Sequence, residues 1–445
     1  MLRACVAFGV ALLAAIAYQG RRLGMRLGYL KVASLEFGPG HGSFGQPPEP
    51  PDRCWKSALE APVEDLTVLD QNRGLLLGAT GHVWECALLG AKNSRENRSH
   101  SNHVVLVDSK KQEVKALQVF KHLPGQGHVA YTSDPADHVY HGIFYSSSSR
   151  RLYAVCHRVA FTSVEVFLVH EGMPMGSEAS EGFHDSFFLE HLETVRSAEF
   201  QRVALNDVVE AAQDGSSFFV TEWLDHDHVT GFRHYSAGQM MRHRLTLTLK
   251  ARHTRLLKCL RTEIVGMPWS CAAATADRFV MANGLAITPD RRFLFLSDPA
   301  AGEVVIYRVE SGSESLTKVL SFNPKHALDN LEVVESGVEL DEVVLHGGSI
   351  PTPFTSGTGC EGGFGMTWPI QDLKGRSGFI GCHRSPGGLL EIRVRGLKRQ
   401  DVEVQMQDRL LHDGSLLSDV SSAFCLDGRV VVGSPATSGL LFCDL

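Results

Sequence analysis

Three observations predict an all-β chain built by radial repetition, a β-propeller of six blades. First, one pattern recurs six times along the 445 residues: a polar residue or pair, an alternating run, a turn, then a more continuous apolar run. Second, the copies return at intervals of tens of residues, with no long helical periodicity between them. Third, the composition (43% hydrophobic, 43 Gly and 18 Pro) suits many short strands joined by turns. A β-sandwich would use the same strands but gives no reason for matching polar openings.

The chain opens with "MLRACVAFGVALLAAIAYQGRR", in which Arg3 precedes an apolar run from Ala4 to Tyr18. This run is short of the roughly 20 residues of a bilayer span. Residues 1–37 therefore read as a signal peptide, or as a signal-anchor with a juxtamembrane segment carrying Arg21, Arg22 and Arg26. Either reading places the rest in the secretory pathway, extracellular or lumenal, and the anchor reading adds a membrane or lipid surface as a partner through this segment. Residues 38–51 ("GPGHGSFGQPPEPP") form a Gly/Pro-rich linker, and residues 52–445 hold the repeats. The net charge of −7 gives no basic footprint for nucleic acid. An oxidising compartment permits disulfides among the ten Cys, whose spacing alone does not pair them. Cys54 and Cys443 bracket nearly the whole repeat region. Asn97-Arg98-Ser99, in a polar stretch, is a glycosylation sequon.

The copies are "EDLTVLDQNRGLLLGAT" from Glu64, "HGIFYSSSSRRLYAVCH" from His141 and "NDVVEAAQDGSSFFVTEW" from Asn206. They continue with "NGLAITPDRRFLFLSD" from Asn283, "DNLEVVESGVELDEVVL" from Asp329 and "SDVSSAFCLDGRVVVGS" from Ser418. Asn and Gly are poor strand formers, so Asn283-Gly284 at the mouth of a strand either makes a turn or holds something. In a propeller the innermost strands begin near the central channel. Residues opening equivalent strands then converge: Glu64, Asp65, His141, Asn206, Asp207, Asn283, Asp329 and Asn330. Carboxylate and amide oxygens are hard ligands suited to Ca²⁺, which takes six to eight oxygens. A lone "NG" or "ND" is more often a turn former; it is the matched repeat positions that point to an ion.

The ordered blocks "VEDLTVL", "HGIFY", "LNDVV", "ANGLAITPD", "SFNPKHALDN", "GCHRSPGG" and the terminal "LLFCDL" resemble those of the serum paraoxonases, a family of arylesterases and lactonases. The resemblance runs from about Cys54 to Leu445, with insertions. It implies a six-bladed β-propeller with two calcium ions in its central tunnel. Glu64, Asn206, Asn283, Asp329 and Asn330 match ligands of the catalytic calcium. Asp65, Asp207 and the backbone carbonyl of Ile143 match ligands of the structural one. Cys54 and Cys443 match the family's closing disulfide, His141 its catalytic His, and His157 the partner in a His-His dyad. Trp84 and His383 stand in blocks that line the family's substrate pocket.

The implied function is calcium-dependent hydrolysis of carboxylic esters and lactones, with small-molecule substrates. Calcium would polarise the carbonyl while His141, supported by His157, activates water. Two other functions fit the same ring: a non-catalytic binding propeller stabilised by calcium, and a gluconolactonase-type sugar lactonase. The sequence departs from the family in two inserted stretches, 171–188 and 352–374, and in the basic, aromatic-poor region that follows "TEWLDHDH".

Overall fold

The computed structural model describes residues 53–445 except 82–102, 125–126, 132–137, 159–160, 173–186, 225–245, 247–248, 265–267, 311–314, 325, 337–340, 351–367, 372–376, 381–386, 400, 413–415, 418 and 436. Residues 1–37, expected to be a targeting segment, the expected linker, Trp84, Asn97 and His383 lie outside the described residues. Among the described residues no helix is long and apolar enough to cross a membrane.

Six sheets, antiparallel except for one pairing in the second, each led by one sequence repeat, make a six-bladed β-propeller. In chain order the innermost strands are Val63–Asp70, Val139–Ser146, Ala204–Glu210, Leu285–Ile287, Ala327–Ser336 and Ser422–Leu426, leading blades 1 to 6. Neighbouring innermost strands touch in sequence, and the last returns to the first, so they form a closed ring. Apolar side chains fill the wedges between blades. Between blades 3 and 4, for example, Val208, Phe218, Phe219 and Val220 pack with Leu285, Ile287, Leu294 and Leu296.

The chain termini close the ring together. Blade 6 takes Ser422–Leu426, Arg429–Gly433 and Leu441–Asp444 from the C-terminus, and its outermost strand, Cys54–Lys56, from the start of the repeat region. Cys54 stands opposite Cys443 in that pairing and is bonded to it, S–S 2.05 Å. A second disulfide, Cys259–Cys271, ties the two outer strands of blade 3.

One blade departs from four strands, and another carries an inserted hairpin. Blade 2 gains a hairpin, Gln118–Leu123 and Gly127–Ala130, which pairs in parallel with the blade's fourth strand, Phe187–Val195. Part of the 352–374 insertion forms a separate two-stranded sheet, Trp368–Gln371 with Ser377–Ile380, between the second and third strands of blade 5.

Candidate functional site

Four of the six polar openings share one backbone irregularity. The pairing of innermost and second strands slips between Val63 and Asp65, Tyr140 and Ile143, Leu205 and Val208, and Leu328 and Leu331. Each slip brackets the expected site residues: Glu64, His141, Asn206 with Asp207, and Asp329 with Asn330. A strict strand would send consecutive side chains to opposite faces, burying one of each polar pair inside a blade. A bulge re-aims them. In blade 4, Asn283 and Gly284 instead extend the ladder just ahead of the strand. The Asn283 N–H donates to the Ser297 carbonyl at 2.9 Å, and the Ser297 N–H donates to Gly284 at 2.9 Å.

Short polar side chains, and one backbone bond, stitch most neighbouring blades together around the ring. Asp65 accepts the Ile143 N–H at 2.8 Å, and Asp207 accepts the Leu285 N–H at 2.6 Å. Thr221 donates to the Asn283 carbonyl at 2.8 Å, and Ser297 donates to the Asp329 carbonyl at 2.6 Å. The Asn330 N–H donates to the Ser421 carbonyl at 2.9 Å, and the Ser421 hydroxyl donates to the Glu64 carbonyl. Blade 6 thus supplies stitching by Ser421. Backbones approach so closely that a methyl group on Gly142 would lie 2.5 Å from Asp207 Cα, and one on Gly284 2.6 Å from Asn330 Cα. Only glycine allows such an approach.

Inside this ring the side chains meet. Asn330 donates to Glu64 Oε1 at 3.0 Å, His141 Nε2 stands 3.6 Å from the same oxygen, and Asn206 Nδ2 lies 3.1 Å from His141 Nε2. The Asn283 side chain stands by the Asp329 carboxyl and opposes the rise that burial imposes on it. His141 Nδ1 faces His157 Nε2 at 3.0 Å, and His157 Nδ1 faces the Thr162 hydroxyl at 3.3 Å. The Trp223 ring stands edge-on to His141, centroids 5.6 Å apart.

Burial sets the electrostatics. It pushes the Glu64 carboxyl well above its ordinary range, with the Asp65 and Asp329 charges adding to the shift and the Asn330 hydrogen bond opposing it. Burial likewise raises Asp65 to about 8, against hydrogen bonds from Ile143 and Leu66, and raises Asp329 to about 7. Asp207 is raised well above its usual range by burial and by Asp65. Burial and then the neighbouring His157 hold His141 well below the usual imidazole range, while burial lowers His157 to about 3 against the Leu205 carbonyl. Carboxylates packed this way fit a divalent cation, which supplies the missing counter-charge.

A sharper test of fit lies in oxygens without partners. Glu64 Oε2, Asn206 Oδ1, Asn283 Oδ1, Asp329 Oδ1 and Asn330 Oδ1 are all buried with no hydrogen-bond partner. Such atoms cost about 1–3 kcal/mol each when left unmatched, and an ion is one of the few things that matches them. These five are the five residues expected around the catalytic calcium. Asp65 and Asp207 behave differently. Each Asp65 oxygen accepts a backbone N–H, from Leu66 and Ile143, and each Asp207 oxygen accepts one from Val208 and Leu285. They are bound into the scaffold, and neither carries an orphaned oxygen.

Some participants escaped the sequence reading. Glu332 lies two residues beyond Asn330, on the same strand face; burial and the Asp65 charge raise its carboxyl to about 8. At the opposite ends of the innermost strands, Glu210 Oε2 joins Ser146 at 2.5 Å and Arg291 at 2.9 Å, linking blades 2, 3 and 4. The signal for Glu332 was its i+2 spacing from Asn330. Trp223, Thr221, Ser297 and Ser421 leave no comparable mark.

No protein-family model and no curated protein matches the sequence. Among solved structures, the chain is similar to the major allergen Mala s 1 of Malassezia sympodialis, at 9% identity and a TM-score of 0.45, covering 88% of this chain and 95% of that one. It is similar to a luciferin-regenerating enzyme at 10% identity and a TM-score of 0.41, covering 88% of this chain and 95% of that one. A gluconolactonase from Xanthomonas campestris shares 14% identity and a TM-score of 0.35, over 90% of this chain and 98% of its own. What bears on function is the geometry of the site itself.

Proposed function

We propose that this propeller is a calcium-dependent hydrolase of carboxylic esters and lactones, of the kind its paraoxonase resemblance implies. The observation that carries the reading is the set of five orphaned oxygens drawn from blades 1, 3, 4 and 5, joined to a buried His-His pair. Glu64, Asn206, Asn283, Asp329 and Asn330 would hold the catalytic ion. Asp65, Asp207 and the Ile143 carbonyl would hold a second, structural one. When bound beside His141, calcium supplies Lewis-acid polarisation of a carbonyl. The two disulfides accord with folding in an oxidising compartment.

The chain's own residues do the proton chemistry. One tautomer pattern runs through the dyad: His157 donates from Nδ1 to Thr162 and accepts at Nε2 from His141 Nδ1–H. The lone pair of His141 Nε2 then faces the Asn206 amide at 3.1 Å beside Glu64, a contact that the attacking water would replace. Burial keeps both rings neutral, so His141 is ready to accept a proton. As water oxygen bonds to the acyl carbon, His141 Nε2 takes its proton. When the acyl C–O bond breaks, the proton passes to the leaving oxygen. His157 holds the ring in position and shares the charge. Trp223 walls off one side of His141.

The test is hydrolysis of phenyl acetate and a medium-chain δ-lactone by the purified full chain. It is run with calcium, after chelation and after calcium is restored, beside His141→Gln. Activity that follows calcium and falls about 100-fold or more in the variant supports the proposal. Turnover indifferent to chelation, or equal in His141→Gln, would overturn it. No turnover together with calcium-dependent thermal stability would also overturn it, in favour of a calcium-stabilised binding propeller.

A further inference from the structure

The extra hairpin on blade 2 carries a second cluster of ligand-type side chains, at the outer end of the sheet and away from the ring of innermost strands. His122 on Gln118–Leu123 stands directly opposite His128 on Gly127–Ala130. Glu190, on the blade's fourth strand, pairs with Phe120 across the parallel ladder. Phe120 and His122 are two residues apart and share a sheet face, so the register brings Glu190 beneath the histidine pair. The ligand atoms of His122, His128 and Glu190 all lie within 4.8 Å of one another.

The cluster has a supporting layer. His170 Nε2 stands 2.8 Å from Glu190 Oε2, and His128 Nε2 stands 3.4 Å from the same oxygen. His170 stacks on Phe188 with centroids 4.6 Å apart, and the His128 ring meets Phe188 edge-on at 5.4 Å. Phe120 also meets Phe188 edge-on at 5.4 Å. His128 and the neighbouring His170 therefore rest on a common aromatic base, and the carboxylate is oriented by an imidazole that does not itself need to bind. His122 is exposed, while His128 and Glu190 are half-buried, so an ion has access from solvent.

We propose that His122, His128 and Glu190 form a binding site for a divalent first-row transition cation, Zn²⁺ foremost, with His170 as a positioning residue. Two imidazoles and a carboxylate are the donor set of zinc sites that leave a further coordination position open. Imidazole suits Zn²⁺ and Cu²⁺, whereas Ca²⁺ takes oxygen ligands, so this site and the tunnel select different metals. The bound cation would pin the hairpin, whose two strands carry both histidines, onto the fourth strand of the blade. It lies outside the proposed catalytic ring, and neither reading depends on the other.

The experiment titrates Zn²⁺ into the purified full chain by calorimetry, with millimolar calcium present throughout. It compares wild type with His122→Ala, His122→Ala/His128→Ala, Glu190→Gln and His170→Ala. His122 is exposed, so its single variant tests the site without threatening the fold. One zinc per chain is expected in wild type. That binding should weaken about 100-fold in the double variant and about 10-fold in His170→Ala. Cobalt substitution of wild type should give the intense visible absorption of a low-coordinate N/O site, lost in His122→Ala. Unchanged zinc number and affinity in His122→Ala and the double variant would overturn the proposal. So would a wild type that binds no zinc at micromolar concentrations.

Discussion

Replacing Asn283 by alanine separates the two jobs an Asn-Gly pair at a strand mouth can do. Its backbone contacts, the N–H to Ser297 at 2.9 Å and the carbonyl from Thr221 at 2.8 Å, survive the substitution. Only the amide goes. Removing the orphaned Oδ1 returns about 1–3 kcal/mol, and losing the amide that stabilises the Asp329 carboxylate offsets much of that gain. Without calcium the variant should therefore unfold within about 1 kcal/mol of wild type. With calcium in excess the balance changes, because the oxygen now has a partner to lose. A binding loss of about 100-fold removes about 2.7 kcal/mol of calcium-linked stability.

The assay is thermal unfolding of the full chain and of Asn283→Ala, each in chelator and in millimolar calcium. The two curves should nearly coincide in chelator and separate in calcium. Equal destabilisation in both conditions would refute the ligand role and leave Asn283 as a turn former. Equal stability in both would refute it too, since no metal-dependent contribution would then exist.

Other outcomes follow from the same geometry. Gly284→Ala should lower stability by about 1–3 kcal/mol or more, because the new methyl meets backbone on the neighbouring strand 2.6 Å away at Asn330 Cα; thermal unfolding reads it, with or without calcium. Cys443→Ser should cost about 2–5 kcal/mol in oxidising buffer, since it opens a closure spanning 389 residues; reductant should remove most of the difference from wild type. Glu165 gives a pH signature away from the site: burial would raise its carboxyl, but His191, Arg158, Thr194 and Ser163 hold it at about 2 instead of the ordinary 4.5. Its folded pKa is depressed, so this contribution is complete above about pH 4.5 and is lost as pH falls through 2; urea unfolding should show about 3 kcal/mol disappearing over that window, and Glu165→Gln should lack the slope.

Four of the six openings, those of blades 1, 2, 3 and 5, sit at a bulge, and a bulge leaves a trace in sequence. Consecutive polar residues, such as Glu64-Asp65, Asn206-Asp207 and Asp329-Asn330, break the alternation of a half-buried strand. Repetition of that break in separate blades is hard to obtain by chance, so the ring emerged from spacing alone. The stitches did not. Thr221, Ser297 and Ser421 are ordinary strand or turn residues by type, and only the inter-blade register gives them their partners. The blade 2 hairpin was hidden for a related reason: its strand Gln118–Leu123 pairs in parallel with a strand nearly seventy residues later in the chain, and no local pattern announces a non-local parallel ladder.

The division of labour in the ring explains why both kinds of residue occur together. Five side chains keep an oxygen unmatched, while Asp65 and Asp207 use theirs to hold the following blade. A ring made only of orphaned oxygens would repel itself and would have nothing fixing one blade to the next. A ring made only of stitched carboxylates would offer an ion only the second lone pairs of oxygens already engaged by N–H donors. Alternating the two, with Gly142 and Gly284 drawing adjacent backbones together, lets the scaffold impose a ligand geometry that the ligands alone would resist. The consequence is directional. Breaking a stitch should loosen both the fold and calcium affinity, whereas removing an orphaned oxygen should cost affinity and leave the calcium-free fold nearly untouched.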